Sequence, residues 1–205
     1  MAILYSYLFV FGMIGLATLL TKVGLLNNEG GRKFIHIAVG NWMIVAALLF
    51  DDMILALIPP FTFIIINYLS YRFHWFKAME RTDSSTKDLG TVYYAISLFV
   101  VVLADYRLFD DWTFSVLPIL VLAYGDGLSA IVGTSLSSRK LVGNKTLYGT
   151  LTMFVVSLIV AYVMISNLWI VLLIGVAASL IELFSPKGID NLTLPLGLYV
   201  ILLLV

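Results

Sequence analysis

The chain has 205 residues, of which 61% are hydrophobic and 12% are charged, and its formal net charge is zero. Soluble domains are about 45–50% apolar and about 25% charged, so this composition predicts an integral membrane protein and excludes a soluble globular domain. A net charge of zero gives no basis for a nucleic-acid partner. Cysteine is absent, which excludes disulfides and cysteine-based metal sites.

Eight apolar segments follow one another along the chain, and a helix needs about 20 mostly apolar residues to cross a bilayer. They predict an all-α, polytopic membrane protein with a single transmembrane catalytic domain over residues 1–205, and no strand pattern stands out. The fourth and eighth segments are short, and Pro59-Pro60 should kink the third. The first has no basic region or cleavage site, so we expect a retained span. The segments are residues 3–20, 34–50, 53–71, 91–104, 113–135, 149–166, 168–184 and 192–205.

Basic residues concentrate in alternate loops. Of the 12 lysines and arginines, only Arg107 lies in the loops after segments two, four and six, which instead carry aspartates; the others lie in or next to the loops after segments one, three, five and seven. By the positive-inside rule, this asymmetry predicts eight spans with both termini outside and the basic loops in the cytoplasm. The aspartates of the outer loops are Asp51, Asp52, Asp105, Asp110 and Asp111.

The second segment opens with RKFIH. On a helix, Arg32 and His36 share a face, as do Lys33 and His36, because they are four and three residues apart. Gly40 continues this face and leaves room for another chain or a ligand. Two snorkelling cations beside an interfacial histidine would give the same pattern. The alternative is a clamp for a phosphate group.

A polar loop, TDSSTKDLGT at residues 82–91, precedes the fourth segment. We expect Thr91 to cap the helix, since it follows Gly90 and stands directly before the first apolar residue. The free N–H groups of such a helix start bind anions, and Lys87 and Asp88 lie near in sequence. An ordinary polar loop is the alternative, and Tyr93-Tyr94 are expected to be an interfacial aromatic pair.

The fifth segment contains a carboxylate, Asp126, within YGDGLSAIVG. An acid at hydrocarbon depth costs at least about 2.5–3.5 kcal/mol. Gly127, Gly133 and the other small residues beside it are typical of close helix packing, but packing does not explain the acid. One or two carboxylates together with substrate phosphates are the usual ligands of Mg²⁺. We therefore predict a functional role for Asp126.

Two further loops carry polar residues toward the same side of the membrane. Residues 139–145 form a basic loop, in which Gly143-Asn144-Lys145-Thr146, followed by Gly149, resembles a phosphate-binding loop in composition. The spacing is not that of a Walker A motif, and a plain turn explains it equally well.

Glu182 lies near the inner end of the seventh segment. The turn enforced by Pro186 and Gly188 can direct Asp190 and Asn191 back toward the cavity. A solvated loop is the alternative for Asp190 and Asn191.

Five motifs occur in the order seen in the CTP-dependent lipid-alcohol kinases: RKFIH, DLGTVYY, YGDGLSAIVG, GNKTLYGT and ELFSPKGIDN. Over residues 32–191 the chain resembles this family, which includes dolichol kinase, phytol kinase and CTP-dependent diacylglycerol kinase. The family is related to phosphatidate cytidylyltransferase, whose signature with His-Gly-Gly and Asp-Arg is missing here. That difference favours the kinase branch.

One position departs from the family pattern. Lys-Thr-x-Glu-Gly is usual, whereas this chain has Tyr148 in place of the glutamate. Tyrosine cannot act as a carboxylate, so another acid must substitute if the glutamate holds metal or orients the acceptor. Glu182 is our first choice.

The resemblance implies a kinase that transfers the γ-phosphate of CTP to a lipid alcohol of the polyprenol, phytol or diacylglycerol type, which enters from the bilayer. Mg²⁺ would be held by Asp126 with Glu182 or Asp190. The general base is Asp88, Asp190 or His36, and the residues do not decide among them. Synthesis of a CDP-lipid and non-enzymatic transport of a lipid or ion are the alternative functions, and a homo-oligomer is left open. The residues expected to bind the nucleotide are Arg32, Lys33, Lys87, Gly90, Thr91, Gly127, Gly133, Arg139, Lys140, Lys145, Thr146, Gly149 and Asn191.

Overall fold

A computed structural model describes residues 1–73, 89–109, 112 and 114–205. This part of the chain is almost entirely helical. The helices are α1 Ala2–Lys22, α2 Asn28–Gly40, α3 Trp42–Leu49, α4 Met53–Ala56, α5 Ile58–Phe73, α6 Gly90–Leu108, α7 Val116–Leu120, α8 Gly127–Ser135, α9 Leu147–Met164, α10 Leu168–Phe184 and α11 Asp190–Leu204. A π-helical segment, Val121–Asp126, joins α7 to α8, and two short strands, β1 Lys140–Val142 and β2 Lys145–Thr146, pair antiparallel.

The prediction of a polytopic helical membrane protein is confirmed. Within the described ranges, six helical units are long and apolar enough to cross a membrane, and α10 and α11 are shorter apolar helices. Every predicted segment coincides with one of these eight units; the number of spans and the outside position of both termini stay predictions. The six long units are Ala2–Lys22, Asn28–Leu49, Met53–Phe73, Gly90–Leu108, Val116–Ser135 and Leu147–Met164.

The unit Val116–Ser135, which contains α7, the π-helical segment and α8, is the central helix of the fold. It is the most buried of the six long units, and it packs against α2, α9 and α11. Ile119, Val121 and Leu122 are fully enclosed. A helix covered by protein on all sides is apolar all round, which explains its run of valine, leucine and isoleucine. Asp126 stands at the end of this enclosed stretch, and its own side chain is buried.

The proline pair interrupts the third predicted segment, as expected. The helix breaks at Leu57, between α4 and α5. Pro59 and Pro60 then occupy the first turn of α5, where a missing N–H removes no intrahelical hydrogen bond.

The expected cap of the fourth segment is wrong. Helix α6 starts at Gly90 with Leu89 as its N-cap, without a side-chain cap bond. Since the N-cap lies two residues earlier than expected, Thr91 lies inside the first turn. Its carbonyl accepts a hydrogen bond from Asn67 Nδ2 at 2.9 Å, which ties α5 to α6.

The basic loop contains a β-hairpin, although no strand pattern stands out in its sequence. Lys140 pairs with Thr146, and Val142 pairs with Lys145. Gly143 has φ +55 at the turn, a left-handed conformation that glycine adopts without steric strain. Strands of three and two residues are too short for an alternating pattern to be visible. The hairpin fixes Lys145 just before the start of α9.

Asp105, which the sequence places among the acids of the outer loops, is fully buried. Its carboxylate accepts hydrogen bonds from the backbone N–H groups of Phe114 and Ser115, at 3.1 and 2.7 Å, and from the Tyr199 hydroxyl at 2.7 Å. These bonds satisfy the buried charge. They join the end of α6 to the start of α7 and to α11, so Asp105 stabilises the end of the fold opposite to Asp126.

Gly40 tests how closely α2 lies on the central helix. A Cβ at this position would stand 2.1 Å from Ala123 Cβ and 2.7 Å from the Tyr94 hydroxyl. We expect Gly40→Ala to lower the free energy of unfolding by about 1–3 kcal/mol through overpacking. Thermal unfolding of the purified protein in detergent measures the change.

Gly15→Ala is the matched control, because nothing lies within 4 Å of a Cβ built there. It should be neutral or slightly stabilising, since alanine favours a helix over glycine by up to about 1 kcal/mol. Equal melting temperatures for the two variants would contradict the close contact at Gly40.

Candidate active site

The first of two ion-pair clusters joins α2 to the central helix. Lys33 Nζ lies 2.8 Å from Asp126 Oδ2, and it also donates to the Asp126 carbonyl oxygen at 3.4 Å. His36 Nε2 lies 3.3 Å from the same carboxylate oxygen. Lys33 and Asp126 are only 3% and 8% exposed. The predicted common face of Lys33 and His36 is therefore confirmed, and it is directed at Asp126.

The π-helical segment places Asp126 at the end of a widened turn. Such turns interrupt the regular pattern of backbone hydrogen bonds and are frequent at functional sites. Here the Leu122 carbonyl accepts a hydrogen bond from His36 Nε2 at 3.2 Å. Gly127 lets α2 come close, because a Cβ there would stand 2.5 Å from Ile37 Cγ1. Gly127 thus has a packing role, and its predicted contact with a ligand stays a prediction.

Tyr94 fixes the ring of His36. The two rings stack with centroids 4.7 Å apart and an angle of 26°, and the Tyr94 hydroxyl donates to the His36 carbonyl at 3.0 Å. Tyr94 is buried, so its expected place in an interfacial aromatic pair is wrong. A carbonyl oxygen only accepts, so His36 Nε2 carries the hydrogen in its bond to Leu122. In the neutral ring the lone pair is then on Nδ1.

The second cluster joins the hairpin to α10 and α11. Lys145 Nζ contacts the carboxylates of Glu182 and Asp190, the latter at 3.2 Å. Glu182 and Asp190 are 3% and 6% exposed. Gly188, at φ +85, lies in the turn between α10 and α11, and this turn brings Asp190 to the same ammonium group that Glu182 contacts.

The charge of Lys145 is stabilised by its partners. Burial alone would lower its pKa, but the carboxylates of Glu182 and Asp190 outweigh burial, and Asp126 adds to their effect, so the pKa is raised. Lys145 is therefore a cation at neutral pH and loses its charge only as the pH rises through this raised pKa.

Asn191 joins the start of α11 to the start of α6. Its Nδ2 donates to the Gly90 carbonyl at 2.9 Å, and its backbone N–H donates to Asp190 Oδ1 at 3.1 Å. The Asn191 Oδ1 atom is buried and has no hydrogen-bond partner within the described part of the chain. The predicted site residues Gly90, Asp190 and Asn191 are thus neighbours.

The small residues around Thr146 hold α8 against α9. Thr146 caps α9, with its Oγ1 accepting from Gly149 N at 3.2 Å and donating to the Gly133 carbonyl at 3.5 Å. A Cβ at Gly133 would stand 2.9 Å from that hydroxyl. These groups bond to one another in the structure, and their predicted part in nucleotide binding stays a prediction.

Several predicted residues lie outside the two clusters. Arg32 pairs with Glu29 at 2.5 Å on the surface of α2. Arg139 and Lys140 are exposed, as is Tyr148, whose backbone N–H donates to Ser138 Oγ at 3.1 Å. Lys87 and Asp88 lie outside the described residues.

The three predicted metal ligands are divided between the clusters. In the described ranges, no group of three or more acidic or histidine side chains is arranged to hold one metal ion. Mg²⁺ needs only one or two carboxylates when phosphates and water complete its shell. Glu182 and Asp190 fit that requirement, and Glu182 Oε2 is buried with no hydrogen-bond partner among these residues. Asp126 is engaged with Lys33.

The fold and the two clusters define an integral membrane protein of many helices with a buried, charged site beside its central helix. The chain is 34% identical over 192 residues to a phytol kinase of Synechocystis sp., an alignment that covers 88% of this chain and 81% of that protein. It therefore belongs to the lipid-alcohol kinase family that its motifs resemble. No family profile matches the chain, and no solved structure matches it significantly.

Lys33→Met tests the first cluster. It leaves the Asp126 carboxylate buried without its cation, which should lower the free energy of unfolding by about 3–5 kcal/mol. The double variant Lys33→Met/Asp126→Leu removes both charges and should recover most of this loss. Denaturant unfolding in detergent micelles gives both values. Identical midpoints for the single and double variants would mean that the two charges are not coupled.

Proposed function

We propose that this chain is a CTP-dependent kinase that transfers the γ-phosphate of CTP to the hydroxyl of a membrane lipid alcohol. The observation that carries the proposal is the meeting of Lys145, Glu182 and Asp190 in one cluster, together with the buried pair of Lys33 and Asp126. Membership of the lipid-alcohol kinase family supports the type of acceptor, and the motifs resemble those of CTP-using members. Because the relative is a phytol kinase, phytol is the first acceptor to test.

The site is proposed to face the cytoplasm, where CTP is available. The positive loops support this orientation, since Lys145 belongs to one of them. The acceptor would reach the site from the bilayer with its tail between apolar helix surfaces. Apolar surfaces discriminate weakly among aliphatic tails, so we expect the position of the hydroxyl to select the acceptor more strongly than the tail does.

Phosphoryl transfer depends mainly on positioning and on neutralising charge. The alcohol oxygen forms a bond to the γ-phosphorus, the bond from that phosphorus to the oxygen bridging to the β-phosphate breaks, and CDP leaves. Lys33 and Lys145 bind phosphate oxygens in this mechanism. Arg139 and Lys140, exposed on the hairpin side, attract the nucleotide from the cytoplasm.

The proton of the alcohol is assigned to His36. Its Nε2 already donates a hydrogen bond, which leaves the lone pair of Nδ1 as the acceptor. The stacked Tyr94 ring and the Asp126 carboxylate keep the imidazole in one orientation. This arrangement favours His36 over Asp190, which is engaged with Lys145.

Glu182 and Asp190 would hold Mg²⁺, and the ion would supply positive charge that neutralises the phosphates of the nucleotide. Glu182 thereby takes over the part of the family glutamate that Tyr148 replaces.

Asp126→Asn is expected to reduce turnover by about 10²–10³-fold or more, because it removes a buried charge from the site while keeping the shape of the side chain. The measurement is transfer of labelled phosphate from γ-labelled CTP to phytol by purified protein in mixed micelles. Asp51→Asn, in an exposed position at the opposite end of α2–α3, is the control. Normal turnover of correctly inserted Asp126→Asn would remove Asp126 from the mechanism.

The same assay with CTP labelled at different positions distinguishes the alternative functions. A kinase passes the γ label to the lipid and releases CDP. A cytidylyltransferase retains the α label on the lipid and releases pyrophosphate. A transporter turns over no CTP with any of a broad panel of lipid alcohols.

A further inference from the structure

Lys145 occupies the space between two buried carboxylates. Its ammonium contacts both Glu182 and Asp190, so it bridges them as a metal ion bridges two carboxylate ligands. The side chain of Lys145 is 26% exposed, whereas those of Glu182 and Asp190 are 4% and 9% exposed. The bridging group is thus the member of the cluster that is open to solvent.

The formal charges of this cluster do not balance. Lys145 contributes one positive charge against two carboxylates, and Glu182 Oε2 is left buried with no hydrogen-bond partner in the described ranges. By contrast, Lys33 and Asp126 form a one-to-one pair. A buried carboxylate without compensation is costly. A divalent cation would balance the second cluster, whereas a lysine does not.

We propose that Lys145 is an internal substitute for the divalent cation of this site. In the unliganded protein its ammonium takes the cation's place between Glu182 and Asp190, and it leaves that place when a divalent cation binds. This inference rests on the proposed function in one respect, namely that the cation arrives together with a nucleotide.

Release of Lys145 provides the phosphate-binding charge. The residue belongs to a two-residue strand of an exposed hairpin, next to the turn at Gly143, so its side chain can turn away without moving a transmembrane helix. Its ammonium then binds the phosphates that accompany the cation. Cation and nucleotide therefore strengthen one another's binding, and each alone competes with an existing ion pair.

The test measures binding of Mn²⁺ alone to the purified full chain in detergent. The electron paramagnetic resonance signal of free Mn²⁺ reports how much of the ion remains unbound. Lys145→Gln should bind Mn²⁺ more tightly than the unmodified protein, by about 5- to 150-fold, which is the usual range of such coupling. The same variant should bind CTP with Mn²⁺ more weakly. Unchanged or weaker Mn²⁺ binding by Lys145→Gln would overturn the proposal.

Lys140→Gln is the matched control, because it removes the same charge from an exposed position of the same hairpin. Its Mn²⁺ affinity should be unchanged. Adding Glu182→Gln to Lys145→Gln should abolish the gain, since a ligand is lost. A gain that persists without Glu182 would place the cation elsewhere and overturn the assignment.

A second measurement uses the unmodified protein and so does not depend on a variant folding. Acylation of lysine amines, read by mass spectrometry, should increase at Lys145 when Mn²⁺ is added, with Lys140 as the internal control. Mn²⁺ binding without increased labelling of Lys145 would contradict the exchange. If Mn²⁺ displaces Lys145 but no CTP-dependent phosphorylation occurs, the proposed function fails and this inference stands. If phosphorylation occurs but Mn²⁺ does not displace Lys145, the proposed function stands and this inference fails.

Discussion

The buried contact between Lys33 and Asp126 is the constraint on which the rest of the structure depends. Charges at membrane depth persist only when they are paired or solvated, and the two groups lie 2.8 Å apart. The pair holds α2 against the central helix, and that packing in turn requires glycine at positions 40 and 127. The widened turn before Asp126 then aims a backbone carbonyl at His36, so that ion pair, helix packing and histidine orientation form one arrangement.

The second cluster extends this arrangement to the end of the chain. Glu182 and Asp190 come from α10 and α11, and the hairpin delivers Lys145 between them. Asn191 adds a bond to the start of α6. Helices that are far apart in the sequence are thereby joined by ion pairs and a hydrogen bond at one end of the fold. At the opposite end the Asp105 carboxylate joins α6, α7 and α11 through neutral donors, with no cation in the contacts described.

Sequence alone predicts those features that a single residue type or a long apolar run determines. The helical segments are visible because each span must be apolar over many residues, and Asp126 and Glu182 because an acid in such a run is costly. The break before Pro59 follows from proline geometry. Asp190 was predictable from the turn formed by Pro186 and Gly188, although a solvated loop explained it equally well.

The remaining features depend on contacts between distant segments. Nothing in the residues around Tyr94 indicates that its ring stacks on His36, because the partner lies 58 positions earlier. The sequence places Asp105 among the outer-loop acids, and only the fold shows that Tyr199 of α11 donates a hydrogen bond to it. Thr91 has the sequence context of a helix cap, but Leu89 is the N-cap in the structure. The carbonyl of Thr91 accepts a hydrogen bond from the Asn67 side chain. The π-helical turn likewise has no local signal in the sequence.

The charges of the two clusters leave no need for a carboxylate at position 148, where this chain has a tyrosine. The two clusters contain three carboxylates, Asp126, Glu182 and Asp190, against two lysines, so the described pairs already carry one excess negative charge. A further carboxylate three residues after Lys145 would raise this excess. Position 148 instead lies exposed at the first turn of α9, where a tyrosine causes no electrostatic cost. The acids of α10 and α11 are therefore sufficient to hold Lys145 without a carboxylate at position 148.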